Sequence, residues 1–221
     1  MQIDREATPF VAAAAVPAVV AAATGRSRLA VTLGALSLGL GAFFRDPQRS
    51  PDRDPVTDAG VVLSPADGKI VHAGPAQPDV APPGEWLQVS IFLSLLDVHI
   101  NRAPWGGRVT AVSHVPGRYL AAYRAESGMR NERSEITVER VVDGTTRRIV
   151  FRQIVGQLAR RVVTRVRPGD DIATGQRIGL MKFGSRMDVF LPTDVTLEVS
   201  AGTRAVAGET VLGRWLDTDG R

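Results

Sequence analysis

Cysteine is absent from this sequence of 221 residues, and histidine occurs only three times, as His72, His99 and His114. Without cysteine, the chain has no disulfide, no thiolate zinc site and no cysteine nucleophile. No two of the histidines have the spacing of a helical metal-ligand pair, so a histidine metal site is not expected. Aromatic residues make up only 5% of the chain, which disfavours a base-stacking surface for nucleic acid.

Lysine is also scarce, although the chain carries a formal net charge of +4. Lys69 and Lys182 are the only lysines among 27 basic residues, and the arginines are scattered along the sequence rather than gathered in runs. A nucleic-acid partner is therefore not expected. The basic charge suits an anionic lipid surface or an acidic substrate.

Two apolar runs, residues 9–24 and 29–44, dominate the N-terminal part of the chain. Each is shorter than the roughly 20 residues that span a bilayer, and each is apolar on all faces. We therefore predict a membrane-associating helical hairpin over residues 1–50, with a pair of buried core helices as the alternative. Arg26 and Arg28 lie between the runs, and spanning helices would carry them across the membrane. This favours a peripheral or shallowly inserted hairpin at the cell membrane, with residues 51–221 on the cytoplasmic side.

Residues 51–221 have the texture of a β-rich domain, because short Val/Ile runs alternate with Gly, Pro and Asp. This pattern is typical of a sandwich or barrel. The predicted strands are 56–63, 69–73, 86–92, 108–114, 134–142, 146–155, 162–166, 177–181, 187–191, 196–199 and 210–212. A short helix is predicted over residues 119–124, within a long loop.

A weak internal repeat appears near the C-terminus. Gly169 and Gly175 are six residues apart, and Gly202 and Gly208 have the same spacing. An Ile or Val follows the second glycine of each pair by three residues. The pattern predicts two related β-turn-β units and is similar to the barrel-sandwich halves of lipoyl and biotinyl carrier domains. A carrier or binding module that uses Lys182 is therefore one alternative function.

Three segments hold residues that could carry chemistry. Residues 97–102 (DVHINR) place Asp, His, Asn and Arg directly after a predicted buried strand. Residues 64–68 (SPADG) form a turn by composition, in which Asp67 could simply cap its own backbone. Residues 183–192 (FGSRMDVFLP) place Gly184-Ser185 between two predicted strands, at the tip of a hairpin. The simpler interpretations are a hydrogen-bonded loop, an Asx turn and a plain turn.

Together these segments resemble the short form of phosphatidylserine decarboxylase over nearly the whole chain. The most specific match is residues 183–192. The other matching segments are residues 43–47 (FFRDP), 64–68 (SPADG), 97–104 (DVHINRAP), 131–133 (NER) and 156–161. All of them occur in the order that the family has.

The resemblance implies a proenzyme that cuts itself between Gly184 and Ser185. It would give a β subunit, residues 1–184, and an α subunit, residues 185–221. Ser185 would become a pyruvoyl group, without a metal or an added cofactor. The pyruvoyl ketone would form a Schiff base with the amine of phosphatidylserine, a membrane lipid, and release of CO2 would give phosphatidylethanolamine.

The resemblance also implies roles for individual residues. Asp67 and His99 would assist Ser185 in self-cleavage, and His99 is a candidate for decarboxylation as well. From their charge and position, Asn101 and Arg102 are candidates to bind the phosphate or carboxylate of the substrate. Long-form members have a His-x-x-His pair where this chain has His99 and Arg102, so His114 is a second candidate for the missing histidine.

One further alternative is a pyruvoyl-dependent decarboxylase of a soluble amino acid. The apolar hairpin argues against it, because a soluble substrate needs no membrane contact. The sequence leaves the oligomeric state open, and a homo-oligomer is compatible with it.

Overall fold

The computed structural model describes residues 2–50, 59–157 and 161–215. The chain forms two compact units, the first ending at Gln48 and the second beginning at Arg49. The first unit is helical and the second consists largely of β-strands, so the predicted fold class, a mostly β domain with an N-terminal helical hairpin, is confirmed.

The N-terminal unit is a pair of antiparallel helices that exposes apolar side chains. A 3-10 turn, Arg5–Ala7, leads into α1, Thr8–Ala23, and α2 is Ser27–Phe43. Arg5–Ala23 is the one described stretch that is long and apolar enough to cross a membrane. The two helices are joined through the Ser37 hydroxyl, which donates to the Val11 carbonyl at 3.2 Å. Strands β1, Gln2–Ile3, and β2, Arg45–Asp46, pair at the open end of the hairpin.

The second unit is built on a curled eight-stranded antiparallel sheet in the order β11-β7-β8-β9-β13-β5-β4-β15. Its central strands alternate apolar residues that face one hydrophobic core with residues that face the other side. Along β13, for example, Met187, Val189 and Leu191 belong to the core cluster. The strand bounds are β4 Gly68–Pro75, β5 Leu87–Leu93, β7 Gly107–Val115, β8 Arg133–Val142, β9 Thr145–Val155, β11 Asp171–Ile172, β13 Ser185–Leu191 and β15 Arg204–Ala205.

Two three-stranded sheets complete the unit, in the orders β10-β12-β6 and β14-β16-β3. Their strands are β3 Val61–Leu63, β6 Ile100–Arg102, β10 Val162–Thr164, β12 Arg177–Met181, β14 Val195–Leu197 and β16 Val211–Trp215. The prediction over residues 56–63 lies partly outside the described residues. No strand was predicted where β1, β2, β6, β11 and β15 form, because each is only two or three residues long.

The Gly-rich repeat corresponds to two β-turn-β units with matching backbone conformation. The φ angles are +97° and +78° at Gly169 and Gly175, and +97° and +73° at Gly202 and Gly208. In each unit both glycine N–H groups donate to backbone carbonyls at 2.8 Å. The short strands inside the repeats, β11 and β15, are the two edges of the eight-stranded sheet.

Two local predictions were wrong. Residues 119–124 are not helical, and the short helix α3 lies at Ser127–Arg130 instead. Gly184 and Ser185 are also not at a hairpin tip, because β12 and β13 belong to different sheets. The link at residues 182–184 therefore crosses from one sheet to the other, and Ser185 is already the first residue of β13.

Candidate active site

Ser185 lies at the start of the most enclosed strand of the sheet. It pairs with Leu93 of β5 on one side and with Val155 of β9 on the other. By the alternation of β13, its side chain is on the same face as Met187 and the core. The residue is fully buried, and its hydroxyl has no hydrogen-bond partner among the described residues. A buried hydroxyl without a partner costs stability, which is typical of a group kept for a reaction.

The backbone that leads into Ser185 is strained. Phe183 has φ +65° and Gly184 has φ +70°, so two consecutive residues are left-handed. Glycine tolerates this conformation, whereas Phe183 pays about 1–2 kcal/mol for it. A peptide bond held at such a turn, directly before a buried serine, can store strain that cleavage of the bond would release.

His99 contacts this strained link directly. Its Nε2 accepts a hydrogen bond from the Gly184 N–H at 3.1 Å, and its Nδ1 lies 2.9 Å from the Asp97 carbonyl oxygen. A carbonyl can only accept, so Nδ1 carries the ring proton and Nε2 is the unprotonated nitrogen that accepts from Gly184. The buried ring is thus a neutral imidazole whose basic nitrogen lies beside the Gly184-Ser185 peptide.

Asp97 holds the loop that carries His99. Its carboxylate accepts hydrogen bonds from the Ser94 N–H at 2.8 Å, from the Ser94 hydroxyl at 2.6 Å and from the Arg204 guanidinium. Burial raises the pKa of Asp97, but the Ser94 and Arg204 contacts outweigh burial, and the net pKa lies below its ordinary value of 3.8. The carboxylate is therefore charged at neutral pH and fixes the carbonyl that orients the imidazole.

Asp67 belongs to the turn at residues 64–68 of the same unit. Its carboxylate accepts a hydrogen bond from Arg49 at 2.7 Å and another from the Ala207 N–H at 2.8 Å. Asp67 thus joins the 64–68 turn to the second glycine repeat. The carbonyl of Asp97 makes the orienting contact to His99, and the part of Asp67 in self-cleavage stays a prediction that rests on the family resemblance.

Asn101 belongs to a buried polar chain on β6, two residues from His99. Gln153 Nε2 donates to Asn101 Oδ1 at 2.8 Å, and Thr164 Oγ1 donates to Gln153 Oε1 at 2.8 Å. These bonds fix the direction of the Asn101 amide and leave its Nδ2 without a partner among the described residues. Arg102 donates to the Gly175 carbonyl at 3.0 Å, so it also secures the first repeat.

A pocket of about 220 Å³ opens at Gly184. Its wall is mostly apolar and includes Phe92, Leu95, Ala122, Tyr123, Gly156 and Phe183. Leu95 and Tyr123 are exposed on the rim, and Leu96 beside them is 84% exposed. The Gly184-Ser185 link is therefore reached through an apolar opening.

A buried ion pair holds one wall of this pocket. The side chains of Arg186 and Asp188 are in contact at 2.6 Å, on the face of β13 opposite the core. Arg186 also donates to Ser90 Oγ at 3.0 Å and to the Arg124 carbonyl at 3.1 Å. The segment that includes Tyr123 is thus tied to the residue that follows Ser185.

The other two histidines and Lys182 have different surroundings. His114 is on β7, its side chain is 55% exposed, and its Nε2 lies 3.6 Å from Glu132. His72 contacts the Pro75 carbonyl on the surface. Lys182 lies in the strained link itself, partly buried, rather than at the tip of a hairpin.

Comparison with known proteins agrees with this geometry. The family model described as phosphatidylserine decarboxylase matches residues 40–213. The phosphatidylserine decarboxylase proenzyme of Desulfotalea psychrophila is 38% identical over 213 residues, 96% of either chain. That of Symbiobacterium thermophilum is 43% identical over 212 residues, 96% of this chain and 95% of the relative.

The chain belongs to the phosphatidylserine decarboxylase family. That resemblance selected Ser185, His99 and Asp67, and charge and position selected Asn101 and Arg102. The structure brings His99 to the Gly184-Ser185 link and places Asn101 two residues further along the chain, in β6, whereas Asp67 and Arg102 hold the glycine repeats.

Three contributors were missed by sequence reasoning: Asp97, Gln153 and Gly156. Asp97 and Gly156 lie in segments that match the family, but the Arg204 contact of Asp97 and the Gly184 contact of Gly156 join parts of the chain that are distant in sequence. Gln153 gave no signal, because a single Gln inside an apolar strand resembles a residue on the polar face.

Replacing Asp97 tests the loop that holds His99. Asp97→Asn should lower the free energy of unfolding at pH 7 by about 1–3 kcal/mol, since it removes a charged acceptor. The folded-state pKa is lowered, so this stabilisation is present above pH 3.8 and is lost as the pH falls through the folded-state pKa. The measurement is urea unfolding of the chain with and without Asp97→Asn, where both proteins also carry Ser185→Ala so that they stay full-length. The difference in the free energy of unfolding between the two should therefore become smaller in acid.

Asp171→Asn is the matched control, because Asp171 pairs with Arg108 on the exposed surface. It should change the free energy of unfolding by less than about 1 kcal/mol at any pH. A difference for Asp97→Asn that stays constant into acid would contradict the assigned charge state.

Proposed function

We propose that this chain is the precursor of a lyase that converts phosphatidylserine to phosphatidylethanolamine and CO2, and that it cleaves itself between Gly184 and Ser185. Membership of the family supports the reaction, and the relatives' name as proenzymes supports self-processing. One observation carries the assignment of the site. A buried serine hydroxyl, without a partner among the described residues, follows a left-handed Gly184 whose N–H is bound to the basic nitrogen of His99.

The first step is an acyl shift within the Gly184-Ser185 peptide. Ser185 Oγ attacks the Gly184 carbonyl carbon, and its proton passes to His99 Nε2 as that nitrogen releases the Gly184 N–H. The new C–O bond forms as the C–N bond breaks, and the proton on His99 goes to the departing Ser185 nitrogen. The product is an ester, with no atom gained or lost. A hydroxyl is a weak nucleophile at neutral pH, so it needs this adjacent base.

Elimination across the Ser185 Cα–Cβ bond then releases Gly184 as a carboxylate. Water converts the remaining dehydroalanine to a pyruvoyl group and ammonia. The result is a β subunit, residues 1–184, and an α subunit, residues 185–221, whose first residue has no amine. Strand pairing on both sides of β13 keeps the α subunit in place after the cut.

The residues present fit a pyruvoyl group at position 185. The Ser185 side chain is fully buried and needs no protein partner in the precursor, so the strand accepts a small uncharged group there. A pyruvoyl group supplies a carbonyl that withdraws electrons and takes up the electron pair left by departing CO2. His99, beside the Gly184-Ser185 link, can hold or deliver a proton there.

The substrate head group is proposed to be held by Asn101 and Arg102. In the part of the chain that the structure describes, the Asn101 Nδ2 is a buried donor without a partner, and the bond from Gln153 fixes its direction. A carboxylate or phosphate oxygen would satisfy that donor. The apolar pocket at Gly184 and its exposed Leu and Tyr rim are compatible with a lipid substrate.

A phospholipid substrate implies association with a membrane, and we propose that the helical hairpin provides it. Val19 is 69% exposed, Val31 72% and Leu38 78%, so the outer face of the unit is apolar. Arg26 and Arg28 at the turn are exposed and suit anionic head groups. The hairpin is proposed to insert shallowly from the cytoplasmic side, with the catalytic unit on that side.

A carrier module that uses Lys182 gains no support from the structure. Such a lysine is presented at an exposed hairpin tip, whereas Lys182 is partly buried in a link between two sheets. The family match also covers the whole β-rich unit rather than the two repeats alone.

Ser185→Ala should abolish self-cleavage, because it removes the hydroxyl that is proposed to attack Gly184. The purified variant should give the mass of the full-length chain, whereas Ser200→Ala, a change at an exposed turn, should give the same two chains as the wild type. A Ser185→Ala protein that is still cut after Gly184 would show that an external protease makes the break.

His99→Ala should slow self-cleavage by about 10²–10⁴-fold, the usual contribution of a general base. Following the appearance of the α subunit in time after cell-free synthesis measures this rate. His114→Ala is the control and should cleave at the wild-type rate. We expect Asp67→Asn to slow cleavage less than His99→Ala. Normal cleavage in His99→Ala together with slow cleavage in His114→Ala would transfer the role to His114.

The hairpin is tested by placing charges on its apolar face. Val19→Asp with Leu38→Asp should lower the fraction of full-length protein that floats with phosphatidylserine-containing liposomes, by tenfold or more. A carboxylate costs about 2.5–3.5 kcal/mol at the bilayer centre and less near the surface. Val141→Asp, a change at a 66% exposed position of the catalytic unit, should float like the wild type. Unchanged flotation of the double variant would exclude the hairpin as the anchor.

A further inference from the structure

Gly156 lies against the carbonyl of the peptide bond that is proposed to break. It follows directly after β9, whose last residue, Val155, pairs with Ser185. A Cβ atom added to Gly156 would lie 2.4 Å from the Gly184 carbonyl oxygen and 3.2 Å from the carbonyl carbon. Real Cβ contacts essentially never fall below 3.0 Å, so the absence of a side chain here allows the two backbones to meet.

Both polar groups of Gly184 thereby have a close neighbour. Its N–H is bound by His99 Nε2, and its carbonyl lies against the Cα of Gly156. Gly184 itself has nothing within 4 Å of its own Cβ position. The close contact is thus on the side of the carbonyl oxygen.

The geometry points to Gly156 as a positioning residue for self-cleavage, which sets the place of the Gly184 carbonyl so that Ser185 Oγ can reach its carbon. This inference rests on the proposed self-cleavage. Gly156 takes no part in bond making, and its contribution is the space that it leaves.

A methyl group at residue 156 should therefore act on the first step. To restore even a 3.0 Å contact, the oxygen and the methyl must separate by about 0.6 Å. The Gly184 backbone is the easier of the two to move, because Val155 is held in the ladder with Ser185 whereas residues 182–184 form a link without strand pairing. Displacements near 1 Å between reacting atoms cost about 10²-fold in rate.

Gly156→Ala should slow cleavage of the full chain by roughly 10–10²-fold after cell-free synthesis, as measured by intact mass over time. Gly213→Ala is the matched control. Its Cβ would meet a backbone oxygen, that of Thr196, at 2.7 Å, and Gly213 is on β16 in a different sheet. Gly213→Ala should lower the melting temperature but cleave at the wild-type rate once folded.

Hydroxylamine separates a positioning effect from simple destabilisation. It cuts the ester formed by the acyl shift and leaves an α subunit that begins with an intact serine. Wild-type precursor caught early should be cut faster when hydroxylamine is added. Gly156→Ala should remain full length in hydroxylamine while it keeps a cooperative melting transition, because its block precedes the ester.

Ala122→Gly supplies a rescue, since the Ala122 Cβ would lie 3.3 Å from the new methyl group. The double variant Gly156→Ala with Ala122→Gly should regain part of the lost rate. The inference is overturned if folded Gly156→Ala cleaves as fast as the wild type, if hydroxylamine cuts it readily, or if it is no slower than Gly213→Ala. Failure of the wild type to cleave would instead overturn the proposed function.

Discussion

The hydrogen bond between the Gly184 N–H and His99 Nε2 joins two parts of the chain that are 85 residues apart. It requires that β6, which follows His99, and β13, which follows Gly184, are held at fixed positions in different sheets. It also requires a neutral imidazole with its proton on Nδ1, and the Asp97 carbonyl provides this. The rest of the catalytic unit supports these two conditions.

The two glycine repeats help to hold the sheets at these fixed positions. Asp67 and Arg102 each bind the backbone of a repeat, and the repeats form the edges of the eight-stranded sheet. Asp67, which was expected to assist self-cleavage, and Arg102, which was expected to bind the substrate, thus also hold the glycine repeats in place. A change at Asp67 or Arg102 has to be interpreted with stability measured beside activity, because the two effects share one side chain.

Much of this organisation could be predicted from the sequence. The β-rich class follows from the alternation of short apolar runs, and the hairpin follows from two apolar segments around Gly25. The position of Ser185 between β5 and β9 could not be predicted, because strand order depends on pairings across more than 90 residues. The glycine spacing gave the repeats but not their place at the sheet edges. Gly156 was inside a matching segment, yet only the fold shows that it faces Gly184.

The central claim is that the chain breaks its own Gly184-Ser185 bond and converts Ser185 in the process. The most direct measurement is the intact mass of the purified wild-type protein. The account predicts two chains, residues 1–184 and 185–221, with the smaller one lighter by one ammonia than a chain that begins with serine. A single full-length chain, or a smaller chain that begins with unmodified serine, would contradict it.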